Sequence, residues 1–464
     1  MSNVKTSRQQ YIQELKESAA QVKEFIGKYR KRRPIVIEFS GVPKSGKTTS
    51  INSLMQFLKR NDFKVKVLQE SASVCPVNDK HSPMFNLWTA CDSITTLVGV
   101  LESDRTKYDV IIIDRGIFDS LCWFEWLLMN DKIENTMKEV MDTFLTMEEL
   151  TSYIDIVFVY EVTPEKSIER EYATLLTDIL GSIMNKEVLS EYLKAVDSTI
   201  ENARKKKLFR KIEVIDTSNK TQDDVGKKVT KMVLDILMEI LDESIGYVEM
   251  PERIREKFNG HCCMSYDEIA ELGGLKLKPN FMRRTELEKK NTFIQIVPIA
   301  VFKEVATEEV LVVRKPSKAT SDNSVERDKL LPYVGGHVRK EDVNGKNEES
   351  LLEICKTTLK REVREELGIA ISLDDISPDF IYVRDGSGSD LHMAVCFLIE
   401  EKKETMKVRM DSEELVANRG KSKSGTFITP DIEDKFLNPW GKIVLDKYFN
   451  GRVRQMTIFD KAEI

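Results

Sequence analysis

No stretch of this 464-residue chain is apolar for long: the greasiest run at its helical spacing, Met232 to Leu241, is interrupted by Asp235 and Glu239. The start, Met-Ser-Asn-Val-Lys-Thr, carries no apolar leader core, so neither secretion nor a membrane span is expected, and the cytoplasm is the expected location. Charge of one sign is lacking too. Lys and Arg total 71 against 77 Asp and Glu, a net charge of −6, which provides no field for extended nucleic acid or anionic membrane. The seven cysteines are odd in number and scattered, with no C-x-x-C spacing, and read as reduced thiols. His261-Cys262-Cys263 lacks the spacing of a zinc site. Internal repeats and low-complexity tracts are absent.

The length calls for two or three domains. Residues 8 to 30 read as a charged amphipathic helix ended by Lys31-Arg32-Arg33-Pro34, within an N-terminal segment of residues 1–33. Apolar strand patterns then alternate with helical ones at Ile35–Phe39, Val65–Leu68, Val110–Ile113, Ile154–Tyr160 and Lys211–Ile215. That alternation predicts an α/β domain over 34–245, a parallel sheet with helices on both faces in three layers. Pro251, Gly260, Gly273, Gly274 and Pro279 break the pattern over 246–290, read as a linker or accessory lobe. Strands resume at Phe293–Phe302 and Glu309–Val313, a helix covers 348–367, strands follow at Phe380–Val383 and Met393–Ile399, and Trp440–Tyr448 closes a second domain over 291–464.

Two phosphate-handling patterns stand about 300 residues apart. The first is Gly41-Val42-Pro43-Lys44-Ser45-Gly46-Lys47-Thr48-Thr49, between an apolar strand and a helix. Its spacing lets backbone N–H groups curl round phosphates at a helix N-terminus, with Lys47 as a mobile positive charge and the Thr48 hydroxyl as a Mg²⁺ ligand. This is a P-loop, and it implies ATP as cofactor. At neighbouring strand ends stand Glu70 and Asp114-Arg115-Gly116. With Tyr153–Tyr160, Pro164, Arg170 and Val214-Ile215-Asp216-Thr217-Ser218, residues 34 to 242 resemble the thymidylate kinase and deoxynucleoside kinase group. The resemblance implies phosphoryl transfer to a nucleoside or nucleotide. Glu70 would be the base if the acceptor is a hydroxyl, Asp114 a partner of Mg²⁺ or the acceptor sugar, and Arg115 a neutraliser of phosphate charge. Arg204–Arg210 is the candidate lid, and Trp88, Trp123 and Trp126 are candidates for stacking on a base, although tryptophans at the helical spacing of Trp123 and Trp126 are more often core.

The second pattern is Glu353 followed after seven residues by Arg361-Glu362-Val363-Arg364-Glu365-Glu366-Leu367-Gly368. On a helix, Glu362, Glu365 and Glu366 share one face, and the like charges call for a cation, Mg²⁺ or Mn²⁺ by the hardness of the oxygens. From Glu353 to Ile369 the segment resembles the signature of Nudix hydrolases, enzymes of an α/β/α sandwich fold, and the resemblance extends over 291–450. It implies that Glu362, Glu365 and Glu366 hold the metal and that Glu365 serves in catalysis, with Arg361 orienting a glutamate. The matching glycine is Gly336 in Gly335-Gly336-His337-Val338. Sixteen residues separate it from Glu353, more than the signature has, and the polar insertion from Arg339 to about 349 is expected to bulge at the mouth of the site. His337 and His392 are further candidates for touching substrate.

These readings predict two enzymes in one chain: a P-loop nucleoside or nucleotide phosphotransferase, and a pyrophosphohydrolase that cleaves a nucleoside diphosphate linked to another group. In a second reading the first half is an NTP-dependent switch or nucleotide-pool sensor regulating the second. In a third, either half binds without turnover. Small-molecule substrates are the expected partners, and a homo-oligomer is left open.

Overall fold

The computed structural model describes residues 2–28, 33–103, 107–173, 183–258, 262–290, 292–314, 326, 329–343, 350–383, 389–402 and 425–449. The chain divides at Met238 and Glu239 into two compact units.

The first unit is built on β1 (Ile35–Gly41), β2 (Val65–Leu68), β3 (Val110–Asp114), β4 (Ile156–Glu161) and β5 (Lys211–Asp216). All are parallel, in the order β2-β3-β1-β4-β5. Every residue of β1 and β3 is buried, which is why these strands read as continuous apolar runs without alternation. Parallel strands need long crossovers. Helices supply them: α1 (Ser2–Lys28) precedes the sheet, and α2 (Lys47–Arg60), α3 (Pro83–Ser103), α4 (Ile117–Met129), α5 (Asn135–Leu145), α6 (Glu148–Thr151), α7 (Pro164–Tyr172), α8 (Lys186–Lys205) and α9 (Gln222–Leu241) follow. In α2 the buried Ile51, Leu54 and Leu58 recur at helical spacing, and in α1 Leu15, Ala19 and Val22 do the same. Residues Pro83–Leu101 of α3 are long and apolar enough by composition to cross a bilayer, a run the sequence reading passed over, and α3 packs against α4 and β2. The connections from β1 and β3 leave in opposite directions, to β2 and across β1 to β4, which opens a crevice at the C-terminal strand ends.

The second unit holds a mixed sheet of ten strands: β6 (Ser244–Val248), β7 (Cys263–Met264), β8 (Asn280–Arg283), β9 (Ile294–Glu304), β10 (Val310–Arg314), β11 (Leu330–Leu331), β12 (Val334–Gly335), β13 (Asp379–Tyr382), β14 (His392–Glu401) and β15 (Gly425–Ile428). Its spine is the parallel pairing of β9 with β14, from Gln295 opposite His392 to Glu304 opposite Glu401, and its other pairings are antiparallel. Three short helices, α10 (Glu252–Phe258), α11 (Tyr266–Glu271) and α12 (Arg284–Leu287), precede β9. The long α13 (Leu351–Leu367) packs on β9 and β12, and α14 (Pro439–Tyr448) follows β15. Ser350 caps α13 by accepting from the Glu353 N–H, and Gly368 ends it in the left-handed region at φ 69°. The stretch 246–290, read as linker or accessory lobe, belongs to this sheet: β6 pairs with β8 and β9, and β7 with β13. The expected boundary at 245 therefore falls inside β6. Strands of two to five residues are too short to show periodicity.

Candidate active sites

Gly41 ends β1 at φ 126°, and a β-carbon there would lie 2.1 Å from the Tyr160 carbonyl oxygen, so only glycine lets the loop leave the sheet here. Gly46, at φ 94°, is the N-cap of α2 and has no side-chain cap. The loop between them is tied from outside. Ser167 Oγ donates to the Pro43 carbonyl (2.7 Å), Arg170 donates to the Lys44 carbonyl (3.2 Å), and Thr217 Oγ1 donates to the Ser45 carbonyl (2.9 Å). Arg170 also donates to the Thr217 carbonyl at 2.7 Å, so it braces the loop against the end of β5. Three successive carbonyls of the loop, at Pro43, Lys44 and Ser45, are thus engaged by side chains from other elements.

Lys47 is 6% exposed, and burial, followed by the charge of Arg115, lowers its ammonium pKa to about 8. A bound polyphosphate would restore its proton affinity. Thr48 Oγ1 stands 3.3 Å from Asp114 Oδ2, and Oδ1 of the same carboxylate is buried with no hydrogen-bond partner among the described residues. Burial raises the Asp114 pKa. A hydroxyl beside an orphaned carboxylate oxygen at the foot of a P-loop fits Mg²⁺.

Arg115 has φ 63°, a left-handed conformation for a bulky residue. Its Nε pairs with Glu70 at 2.9 Å, and NH1 reaches both oxygens of Asp119 at 3.0 Å. Asp119 in turn accepts from Ser40 (2.8 Å) and Tyr192 (3.3 Å). Beneath this segment lies Glu38 of β1, wholly buried, accepting from the N–H groups of Gly116 (2.9 Å), Phe118 (3.1 Å) and Asp119 (2.9 Å). Burial outweighs those bonds and pushes its carboxyl up to about 7. The sequence reading missed Glu38 and Asp119. A carboxylate inside a continuous apolar strand is itself the signal, since a buried charge needs a partner.

Lys47, Glu70 and Arg115 line one cavity of about 890 Å³, together with Phe85, Asn86 and Thr89 of α3 and Trp123 of α4. Trp123 stacks on Tyr192 with ring centres 4.2 Å apart, while Trp126 is 2% exposed within the core and Trp88 is not among the lining residues. The candidate lid Arg204–Arg210 joins α8 to the N-terminal end of β5, opposite the strand ends that carry the P-loop, and Arg204 donates to the Ile212 carbonyl. Parallel strand order thus excludes it from the phosphate site.

In the second unit Glu362 and Glu366 are 1% and 2% exposed, whereas the Glu365 side chain keeps 36% of its surface. Gly336 packs against the first of them: a β-carbon there would stand 2.5 Å from the Glu362 carboxylate carbon, so a side chain would displace that carboxylate. Two arginines bridge Glu362 and Glu365. Arg361 NH1 contacts both, and Arg339 approaches them at 3.7 and 3.6 Å while its Nε pairs with Glu243 at 3.0 Å. Arg361 is held in turn by Asp342 through Nε at 2.7 Å and NH2 at 2.8 Å, and Thr358 donates to the same carboxylate at 2.9 Å. The beginning of the insertion therefore does not bulge. Arg339–Val343 folds onto α13, with Asp342 4% exposed, because Asp342 answers the charge of Arg361. Residues 344–349 of the insertion, and His261, lie outside the described residues. Hard carboxylate oxygens over a glycine cradle fit a divalent cation. Among the described residues, though, no three acidic, His or Cys side chains converge on one ligand point as they stand. His337 and His392 meet edge-on at 5.7 Å, with Trp440 beyond His392.

No protein-family profile matches the chain, and no curated protein matches it by sequence. Solved structures do. The chain is similar to a protein assigned to the Nudix hydrolases, at 18% identity and TM-score 0.31 over 45% of this chain and 99% of that one. It is likewise similar to the deoxyadenosine kinase of M. mycoides, at 13% identity and TM-score 0.34 over 43% of this chain and 100% of the kinase.

Proposed function

We propose that the first unit transfers the γ-phosphoryl group of ATP to a hydroxyl of a nucleoside, and that the second hydrolyses the pyrophosphate link of a nucleoside diphosphate joined to another group. The observation that carries the first reading is the lining of one cavity by Thr48, whose hydroxyl lies 3.3 Å from Asp114, and by the ion pair of Glu70 with Arg115. Arg115 has its charge compensated by two carboxylates, which suits it to hold Glu70 rather than to receive an acceptor phosphate. Asn86, Phe85 and Trp123 offer an amide and aromatic faces to a base. Glu70 takes the hydroxyl proton as the oxygen attacks the γ-phosphorus, the bond to the bridging oxygen breaks, and ADP leaves. Lys47 follows the charge on the transferred group. Mg²⁺, held through Thr48 and Asp114, would neutralise the phosphates.

In the second unit Glu362, Glu365 and Glu366 would hold Mg²⁺ or Mn²⁺, which lowers the pKa of an attacking water and offsets pyrophosphate charge. Glu365, the most exposed of the three, would take the proton of that water, while Arg361 would fix the carboxylates beside it. The experiment is incubation of the full chain with Mg²⁺, ATP and a mixed pool of nucleosides, nucleotides and dinucleotides, followed by mass spectrometry. A nucleoside monophosphate with ADP, and separately two phosphorylated fragments of a dinucleotide, are expected. Consumption of nucleotides but no nucleosides in the first reaction would replace the hydroxyl acceptor with a phosphate, and no turnover of either kind would overturn the reading.

A further inference from the structure

Arg339 stands where the sequence asks for a cation. Its guanidinium, on the chain segment that lengthens the connection into α13, lies 3.7 Å from Glu362 and 3.6 Å from Glu365, the two carboxylates that Arg361 also bridges. These approaches are looser than hydrogen bonds. Its firm contact is elsewhere: Nε is 3.0 Å from Glu243, just ahead of β6, at the end of the stretch that the sequence reading gave to the first domain.

We propose that Arg339 is a positioning residue that competes with the divalent cation for Glu362 and Glu365, and that Glu243 is the anchor to which it withdraws when the cation enters. The inference rests on the metal-dependent reading of this site. A metal ion at carboxylate distance from Glu365 would meet the guanidinium at close range, and the two positive charges repel in a site where the Arg339 side chain is 21% exposed. The asymmetry of the contacts sets the direction of movement, since the long pair over Glu362 and Glu365 breaks while the short one to Glu243 holds. It also accounts for the lack of a converged ligand set among the described residues: each guanidinium spans the two carboxylates that a metal would draw together. Occupancy of the site thereby shifts to higher cation concentration.

The competition predicts opposite signs for the two partners. Arg339→Met removes the competitor and raises affinity for Mn²⁺, measured by calorimetric titration of the full chain without nucleotide, by about tenfold or more. Glu243→Gln leaves Arg339 only the catalytic carboxylates, and Mn²⁺ affinity falls several-fold. Because Glu243 acts only through Arg339, the double variant binds like Arg339→Met. Loss of the titration in Glu365→Gln assigns the signal to this site. If the wild type binds and Arg339→Met binds no more tightly, or if Glu243→Gln weakens binding equally without Arg339, the competition is refuted while the metal reading stands. If neither the wild type nor Arg339→Met binds Mn²⁺, both fall. Glu243→Gln leaves the arginine in place and remains decisive should Arg339→Met fail to fold.

Discussion

Glu38 lies so close under Gly116 that a β-carbon at residue 116 would stand 2.8 Å from its carboxylate oxygen. The contact couples the central strand to the segment that carries Arg115, because the same carboxylate accepts the N–H groups that open α4. Gly116→Ala should force Glu38 aside and cost about 1–3 kcal/mol, the usual range for overpacking. Denaturant unfolding followed by tryptophan fluorescence measures this, and a stability unchanged from wild type would show that the carboxylate yields freely.

Glu38 also sets a pH dependence. Its carboxyl is raised from 4.5 to about 7 by burial, so the folded state binds the proton more tightly than the unfolded chain does. The contribution is complete below about pH 4.5 and is lost as pH rises through about 7. Glu38→Gln, which cannot ionise, should flatten that part of the profile by on the order of 1–3 kcal/mol between these limits. Stability curves of the two proteins from pH 4 to 8 that run parallel would refute the assignment.

The acceptor chemistry separates on two substitutions. If Glu70 takes a hydroxyl proton, Glu70→Gln lowers the turnover number by about 10² to 10⁴. Arg115→Ala should then act largely by releasing Glu70 and should be the milder change. Severe loss in Arg115→Ala with little in Glu70→Gln would instead mark a phosphate acceptor.

The independence of the two units is tested by crossed variants. Lys47→Ala should abolish phosphoryl transfer and leave pyrophosphate cleavage intact, and Glu365→Gln should do the converse, because each unit carries its own candidate ligands. Under the switch reading, Lys47→Ala would also alter the rate of cleavage or its response to added ATP. Measuring both reactions in both variants, with and without ATP, decides between them.

The P-loop and the acidic helix were legible because their chemistry is local: glycine at fixed offsets round a loop, glutamates three and four residues apart on a helix. Strands β1, β2 and β3 were legible for a similar reason, as each is a short run dominated by Val, Ile, Leu and Phe. What escaped depends on pairs distant in sequence. Glu38 meets residues some 80 positions away, and Arg339 meets Glu243. Nothing in either neighbourhood announces its partner. The insertion was misjudged because polarity suggests solvent, whereas Asp342 is polar in order to face Arg361. The lid assignment to Arg204–Arg210 failed on topology: charge density says nothing about which end of a parallel sheet a turn occupies.

Two helices begin at the same crevice, yet they present different faces to an anion. The start of α4 delivers its N–H groups inward to Glu38, so the positive end of its dipole is answered within the protein. The start of α2 has no capping side chain and no acidic residue in its first turn. The crevice therefore has a polarity along its floor, and an anion entering it would be drawn to the start of α2 rather than to the start of α4.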